Sequence, residues 1–145
     1  MKRSAFFMVA IFFSLFLFSC EKEENITAAE LPQPAKDFIS THFTTATITS
    51  IQKEKEISGT SYDVFLNNGT TLDFNADGEC TDIDGKTNKL PDSVLPAQVL
   101  TYVQTNHATE FIVGWEKDGN NQEVELNNGL ELKFDQNYNF ISLDQ

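Results

Sequence analysis

The chain has 145 residues, with 22 acidic and ten basic side chains and a formal net charge of −12, a length that supports one compact domain or two very small ones. An acid surplus of this size repels phosphate backbones and anionic lipid surfaces, which excludes nucleic-acid binding and electrostatic membrane docking. With only Cys20 and Cys80 present, no disulfide framework and no multi-cysteine metal centre can be built.

The first stretch reads as a leader over residues 1–19. Lys2 and Arg3 precede an apolar run from Ala5 to Phe18 that only Ser14 interrupts. A run of this length falls short of the roughly 20 residues needed to span a bilayer, so export and cleavage are predicted instead. Its end, "LFSC" from Leu17 to Cys20, resembles the lipobox of bacterial lipoproteins. That resemblance implies lipidation of Cys20, and each buried methylene of an acyl chain would contribute about 0.8 kcal/mol to membrane anchoring. "EKEEN", Glu21 to Asn25, is similar to the acidic export signal of Bacteroidetes lipoproteins. It implies an outer-membrane lipoprotein exposed at the cell surface; an anchor facing the periplasm is the alternative. Residues 20–30 are then a lipidated cysteine with a solvated acidic tether, and residues 31–145 are the folded domain.

That domain repeats itself. "LPQPAKDFISTHF" from Leu31 aligns with "LPAQVLTYVQTNH" from Leu95, and Leu31, Ala35, Phe38 and Ile39 match Leu95, Val99, Tyr102 and Val103. These positions form one apolar stripe at helical spacing, and Pro32 and Pro96 are expected in the first turn, where a missing N–H costs nothing. Next, "ATITSIQKEKE" from Ala46 and "TEFIVGWEKDG" from Thr109 are rich in β-branched and aromatic residues and predict first strands. Between these strands and the next, the spacing of the copies falls by four residues, near "EISGTS", which predicts a longer hairpin turn in the first half.

"VFLNNGTTLDF", Val64 to Phe74, and "VELNNGLELKF", Val124 to Phe134, are nearly the same eleven residues. Apolar alternation on both sides of Asn-Gly encodes a tight hairpin, because glycine and asparagine tolerate the positive φ that the turn requires. "ECTDID" from Glu79 and "NFISLDQ" from Asn139 close the halves as last strands; strict alternation puts Thr81, Ile83, Ile141 and Leu143 on one face and Cys80 and Phe140 on the other. The turn-rich linker "GKTNKLPDSV", Gly85 to Val94, joins the repeats 31–84 and 95–145. Each half alone is too small to bury its apolar face. The predicted fold is α+β: a tandem α-β4 repeat forming an eight-stranded antiparallel sheet with two helices on one face.

The "LP" before each helix, the aliphatic first strand, the V-x-L-x-x-G-x-x-L-x-F hairpin and the turn before each last strand together resemble the PepSY-like, β-lactamase-inhibitor-like lipoprotein family of Bacteroidetes. The resemblance covers the chain from about Leu31 onward. It implies a fold like that of β-lactamase inhibitor proteins, whose sheet surface away from the helices grips a partner, without implying β-lactamase inhibition itself.

Chemistry-bearing patterns are few. "DFNADGECTDID" places Asp73, Asn75, Asp77 and Asp84 at the spacing of a calcium loop, with Gly78 at the sixth position; a hairpin turn accounts for the same residues. His42 and His107 stand near helix ends without a paired ligand or a nucleophile. Nothing resembles a nucleophile with its base or a phosphate-cradling loop, so neither catalysis nor a cofactor is expected. The candidate binding face comprises Asp63, Phe65, Asp73, Glu125, Glu131, Lys133 and Phe140, with Trp115 on either face because the alternation is ambiguous around Gly114. The leading expectation is a lipid-anchored, extracytoplasmic, non-catalytic module that binds a protein or peptide, in the manner of a hydrolase inhibitor. A calcium-stabilised structural or envelope-maintenance lipoprotein is the alternative.

Overall fold

The computed structural model describes residues 23–57 and 59–144. The leader, Cys20 and the first two residues after it lie outside the described residues. From Glu24 the chain is already part of the fold. Two residues, Glu24–Asn25 (β1), pair with the first long strand, and Ala28–Glu30 form a single 3-10 turn. That turn is closed by Glu30, whose carboxylate accepts from the backbone N–H and the hydroxyl of Thr27, both at 2.9 Å. These bonds hold the Glu30 carboxyl below its usual range.

The first half continues as α1 (Gln33–His42), β2 (Ile48–Glu56), β3 (Gly59–Leu66), β4 (Thr71–Asn75) and β5 (Cys80–Asp84). A second 3-10 turn at Asp92–Val94 leads into α2 (Ala97–Asn106), β6 (Ile112–Asp118), β7 (Asn121–Leu126), β8 (Glu131–Phe134) and β9 (Phe140–Asp144). All strands are antiparallel and lie in one sheet in chain order. The sheet has nine strands instead of the expected eight, because part of the acidic tether adds β1.

The prolines stand one position earlier than expected. Pro32 and Pro96 precede the helices, and their carbonyls accept the first helical bonds, from Lys36 and Leu100. The buried helix positions correspond: Ala35 and Ile39 in α1, Val99 and Val103 in α2. Both helices cover the same sheet face. Beneath them lie Val64, Leu72 and Phe74 from one half and Val124, Leu132 and Phe134 from the other, all fully buried. Each phenylalanine meets a ring from its helix edge to face, Phe74 with Phe38 at 5.8 Å and Phe134 with Tyr102 at 5.4 Å. The two halves thus contribute equivalent layers to one core.

The duplicated hairpin is a three-residue loop in which only the glycine is left-handed, φ +89° at Gly69 and +82° at Gly129. This is the G1-bulge type of connection rather than a two-residue turn. It gives each first asparagine a second task. Asn67 donates its backbone N–H to the Thr47 carbonyl while its side chain accepts from the Thr47 N–H. Asn127 does the same with Phe111. Each "NNG" therefore ties its turn to the residue entering the first strand.

The four extra residues of the first half do not lengthen a turn. Glu56 lies opposite Gly59 and Asp118 opposite Asn121, so both hairpins close across the same span. The insertion goes into the strands: β2 and β3 have nine and eight residues against seven and six in β6 and β7. Extending a ladder keeps the backbone groups paired, whereas a longer loop would leave them to solvent.

Candidate functional site

The face away from the helices is built by the residues that alternate with the core. On β3, Asp63 and Phe65 alternate with Tyr62, Val64 and Leu66; on β7, Glu123 and Glu125 alternate with Gln122, Val124 and Leu126. Asp73, Glu131 and Lys133 fall on the same face of β4 and β8. Six of the expected residues, Asp63, Phe65, Asp73, Glu125, Glu131 and Lys133, are thus brought onto one surface.

Phe140 is a correction. Lys133 pairs with Ser142 but Phe134 pairs with Phe140, so Ile141 is an extra residue in a β-bulge. The bulge breaks the strict alternation and turns Phe140 to the helix side, where it stacks on Tyr102 with centroids 4.7 Å apart. The first half has the same bulge at Thr81, and Cys80 packs against the core opposite Phe74. Burial pushes the Cys80 thiol up to about 12, with Asp82 and Asp73 adding to the effect; such a thiol is not a nucleophile at neutral pH. Trp115 also faces the helices, paired with Ile83 and Val124, and its Nε1 donates to Gln122 Oε1 at 3.0 Å.

The calcium-loop residues do not converge. Asn75 Oδ1 accepts from the backbone N–H groups of Asp77 and Glu79, both at 3.0 Å, which makes the segment a hairpin turn. Asp73 lies in mid-strand on the open face, and Asp84 is paired with Lys86. Among the described residues no group of three or more His, Cys, Asp or Glu could hold a metal ion. Of the histidines, His42 shares a hydrogen bond with Ser93 through Nδ1 at 2.9 Å, tying α1 to the linker.

The register exposes a feature that no linear pattern predicts. At one level of the open face the paired residues run Gln52, Asp63, Asp73, Asp82, Glu116, Glu123, Lys133. Five carboxylates stand side by side on five adjacent strands, where directly opposed side chains sit about 5 Å apart and like charges repel. Asp73 and Asp82 are both pushed up to about 6. Burial is the main cause for each; Asp63 is the next for Asp73 and Glu116 for Asp82. Asp63 is also raised, by burial and by Glu23. The row ends at Lys133, which donates to Asp118 and Glu123 at 2.6 Å each; those two bonds hold the ammonium well above its usual range.

A cleft of about 210 Å³ opens where β5 of the first half meets β6 of the second. Asp82, Asp84, Glu116, Glu123, Glu125 and Glu131 surround it, and Gly114 supplies the dip. A Cβ at Gly114 would lie 3.1 Å from the Glu125 Cβ, so the missing side chain helps to make the depression. Asp82 and Glu116 were not among the expected site residues. Period-two alternation in "TDID" and "GWEKD" places each on the open face, but their apposition depends on strand pairing across the linker.

Comparison with known proteins follows the same outline. The family model described as "Putative beta-lactamase-inhibitor-like, PepSY-like" matches residues 18–59 and 60–142. No curated protein sequence matches the chain. Solved structures share the fold, three of them as follows. A "putative periplasmic protein" of the DUF2874 family from Bacteroides vulgatus is 35% identical, with TM-score 0.80 over 85% of this chain and 97% of that one. A "putative calcium-regulated periplasmic protein" from Bacteroides thetaiotaomicron is 32% identical, with TM-score 0.82 over 85% and 97%. A second "putative periplasmic protein of unknown function" from Bacteroides vulgatus is 32% identical, with TM-score 0.81 over 86% and 100%. These relatives support a location outside the cytoplasm. Among the described residues no helix is long and apolar enough to cross a membrane.

Proposed function

Because the chain belongs to the PepSY-like, β-lactamase-inhibitor-like family, we propose that it is a lipid-anchored, non-catalytic binding module outside the cytoplasm that captures a protein or peptide through a basic segment. The observation that carries this reading is the row of five adjacent carboxylates from Asp63 to Glu123 across the joint of the two halves. These groups stand side by side and repel one another, and Asp63, Asp73 and Asp82 are also partly desolvated. Lysine or arginine side chains laid across the strands would relieve that repulsion and gain charge-assisted hydrogen bonds. Phe65, half-buried on the same face, offers an apolar contact at one end. Hydrolase inhibition is one form such capture takes, with the sheet face as the gripping surface. Anchoring rests on "LFSC" and Cys20, and surface display on "EKEEN"; a periplasm-facing anchor is the alternative address.

Titration calorimetry of the protein from Glu21 onward against a Lys- and Arg-rich peptide tests the reading. Binding should weaken steeply with salt and be lost when Asp73→Asn and Asp82→Asn are combined. Phe65→Ser should weaken it, and Phe140→Ser should not, because that ring stacks on Tyr102 on the opposite, helix side of the sheet. Binding indifferent to the aspartates would overturn the assignment of this face.

A second reading is favoured by the relative named as calcium-regulated: a calcium-stabilised structural lipoprotein without a discrete partner. The acid row would supply pairs of neighbouring carboxylates rather than a closed cage. A calcium-dependent rise in melting temperature without peptide binding would support it; no rise would remove it.

A further inference from the structure

Because the halves are copies, each strand edge in one has a counterpart in the other. β5 corresponds to β9: Asp73 pairs with Asp82 and Phe74 with Cys80, as Lys133 pairs with Ser142 and Phe134 with Phe140. β2 corresponds to β6: Ser50 and Ile51 pair with Phe65 and Val64, as Gly114 and Trp115 pair with Glu125 and Val124. Inside the molecule the outer edge of β5 is taken by β6, in the register Asp82–Glu116, Ile83–Trp115, Asp84–Gly114. Shifting that joint by one half gives Ser142 opposite Gln52, Leu143 opposite Ile51 and Asp144 opposite Ser50. β9 and β2 lie near opposite ends of the sheet, so only two copies of the chain can make this pairing.

The two edges differ. Among the described residues no strand pairs with the outer side of β9. Leu143 is 41% exposed, while its counterpart Ile83, covered by β6, is 1% exposed. β9 carries none of the lysines or prolines that commonly protect an open edge. The β2 edge is occupied: β1 pairs with Gln52 and Lys53, and the Ile26 N–H bonds the Ile51 carbonyl at 3.1 Å. β1 and the Ile26 that follows it thus cover Gln52 and Ile51, two of the three positions that the shifted joint would use. Charge also favours the shifted joint, because it replaces the opposed acids Asp82 and Glu116 with Ser142 and Gln52.

We propose that the β9 edge is the docking site for the β2 edge of a second copy, joined head to tail in the register of the internal joint, and that β1 is a plug that must leave before the joint forms. The plug gives up two strand pairs with exposed side chains, one backbone bond and the partly buried Ile26; the joint replaces them with three pairs and covers Leu143. A head-to-tail contact leaves a free edge on each added copy unless the copies close into a ring, and the plug keeps it from propagating.

Full-length chains carrying Gln52→Cys and Ser142→Cys separately are co-expressed and oxidised, and the crosslinked peptides are identified by mass spectrometry. The mixed crosslink between positions 52 and 142 should exceed both like-with-like crosslinks several-fold. Ile26→Pro, which removes the N–H bonded to Ile51, should raise it several-fold further. Leu143→Lys, with its melting temperature confirming the fold, should abolish it. Predominance of the 142–142 crosslink would show a two-fold β9 pair and overturn the proposal, as would a statistical mixture or none at all. A mixed crosslink indifferent to Ile26→Pro would overturn the plug.

Discussion

In the first half, Asp63, Asp73 and Asp82 follow one another across three strands with no cation in the row. In the second, Glu116 and Glu123 run into Lys133, which bonds Glu123 and Asp118. The skeletons superpose by pairing register, yet one half concentrates uncompensated carboxylates and the other neutralises them. The helix side shows a parallel contrast: the first half places Cys80 under its helix where the second stacks Phe140 on Tyr102. Duplication thus preserved the buried layer, where packing density constrains volume, and let the open face diverge, where a substitution costs little in stability.

The largest expected effect tests whether the halves are one cooperative unit. Phe74→Ala and Phe134→Ala each empty a fully buried ring site and should cost about 3–5 kcal/mol. In denaturant unfolding either variant should still show a single transition, because β5 and β6 fuse the halves into one sheet. Two resolved transitions would show that the halves fold separately.

Next, Asp73→Asn with Asp82→Asn should raise the melting temperature at pH 7.5 by a few degrees, a modest gain because both groups are partly solvated. Unfolded aspartate titrates near 3.9, while these two are raised to about 6 in the fold. Their contribution is therefore fully present below about pH 4 and lost as pH rises through about 6. The parent should melt higher at pH 5 than at 7.5, and the double variant should flatten that slope. Glu30 and Asp135, held low by their hydrogen bonds, act in the opposite sense, and their contribution is lost at still lower pH.

Lys133→Met should make the second half resemble the first. Its melting temperature should fall at pH 7.5, by less than the aspartate pair gains, and the deficit should shrink in high salt, which screens the ion pairs of Lys133 with Asp118 and Glu123. A deficit independent of salt would assign the lysine to packing. The smallest effect is expected from Gly114→Ala, at the position occupied by Ser50 in the first half. The added Cβ presses on the Glu125 side chain while the strand loses a flexible glycine, so stability should change by less than about 0.5 kcal/mol. Partial filling of the cleft should nevertheless weaken peptide binding in the calorimetric assay.

Much of the fold is legible in single residues. The stripe Leu31, Ala35, Phe38, Ile39 and its copy fix the helices and their buried sides, and the alternation around Val64 and Val124 fixes which side of each hairpin faces them. The bulges at Thr81 and Ile141 are not legible, because one extra residue reverses the face of Cys80 and Phe140 without changing composition. The four-residue insertion was legible in length but not in place, since a turn and a pair of lengthened strands absorb it equally well on paper. Of the site, Asp63 and Asp73 were readable within one hairpin; Asp82 beside Glu116 was not.

By itself the sequence determined the duplicated α-β4 unit, the antiparallel sheet and the acidic, helix-free side, because those follow from local periodicity and turn chemistry. Only the tertiary structure decided that the tether supplies a ninth strand, that bulges turn Cys80 and Phe140 to the helix side of the sheet, and that five carboxylates meet in one row across the joint. Each of these depends on register between strands distant along the chain, which is set by the balance of core packing and backbone pairing and leaves no mark in any one segment.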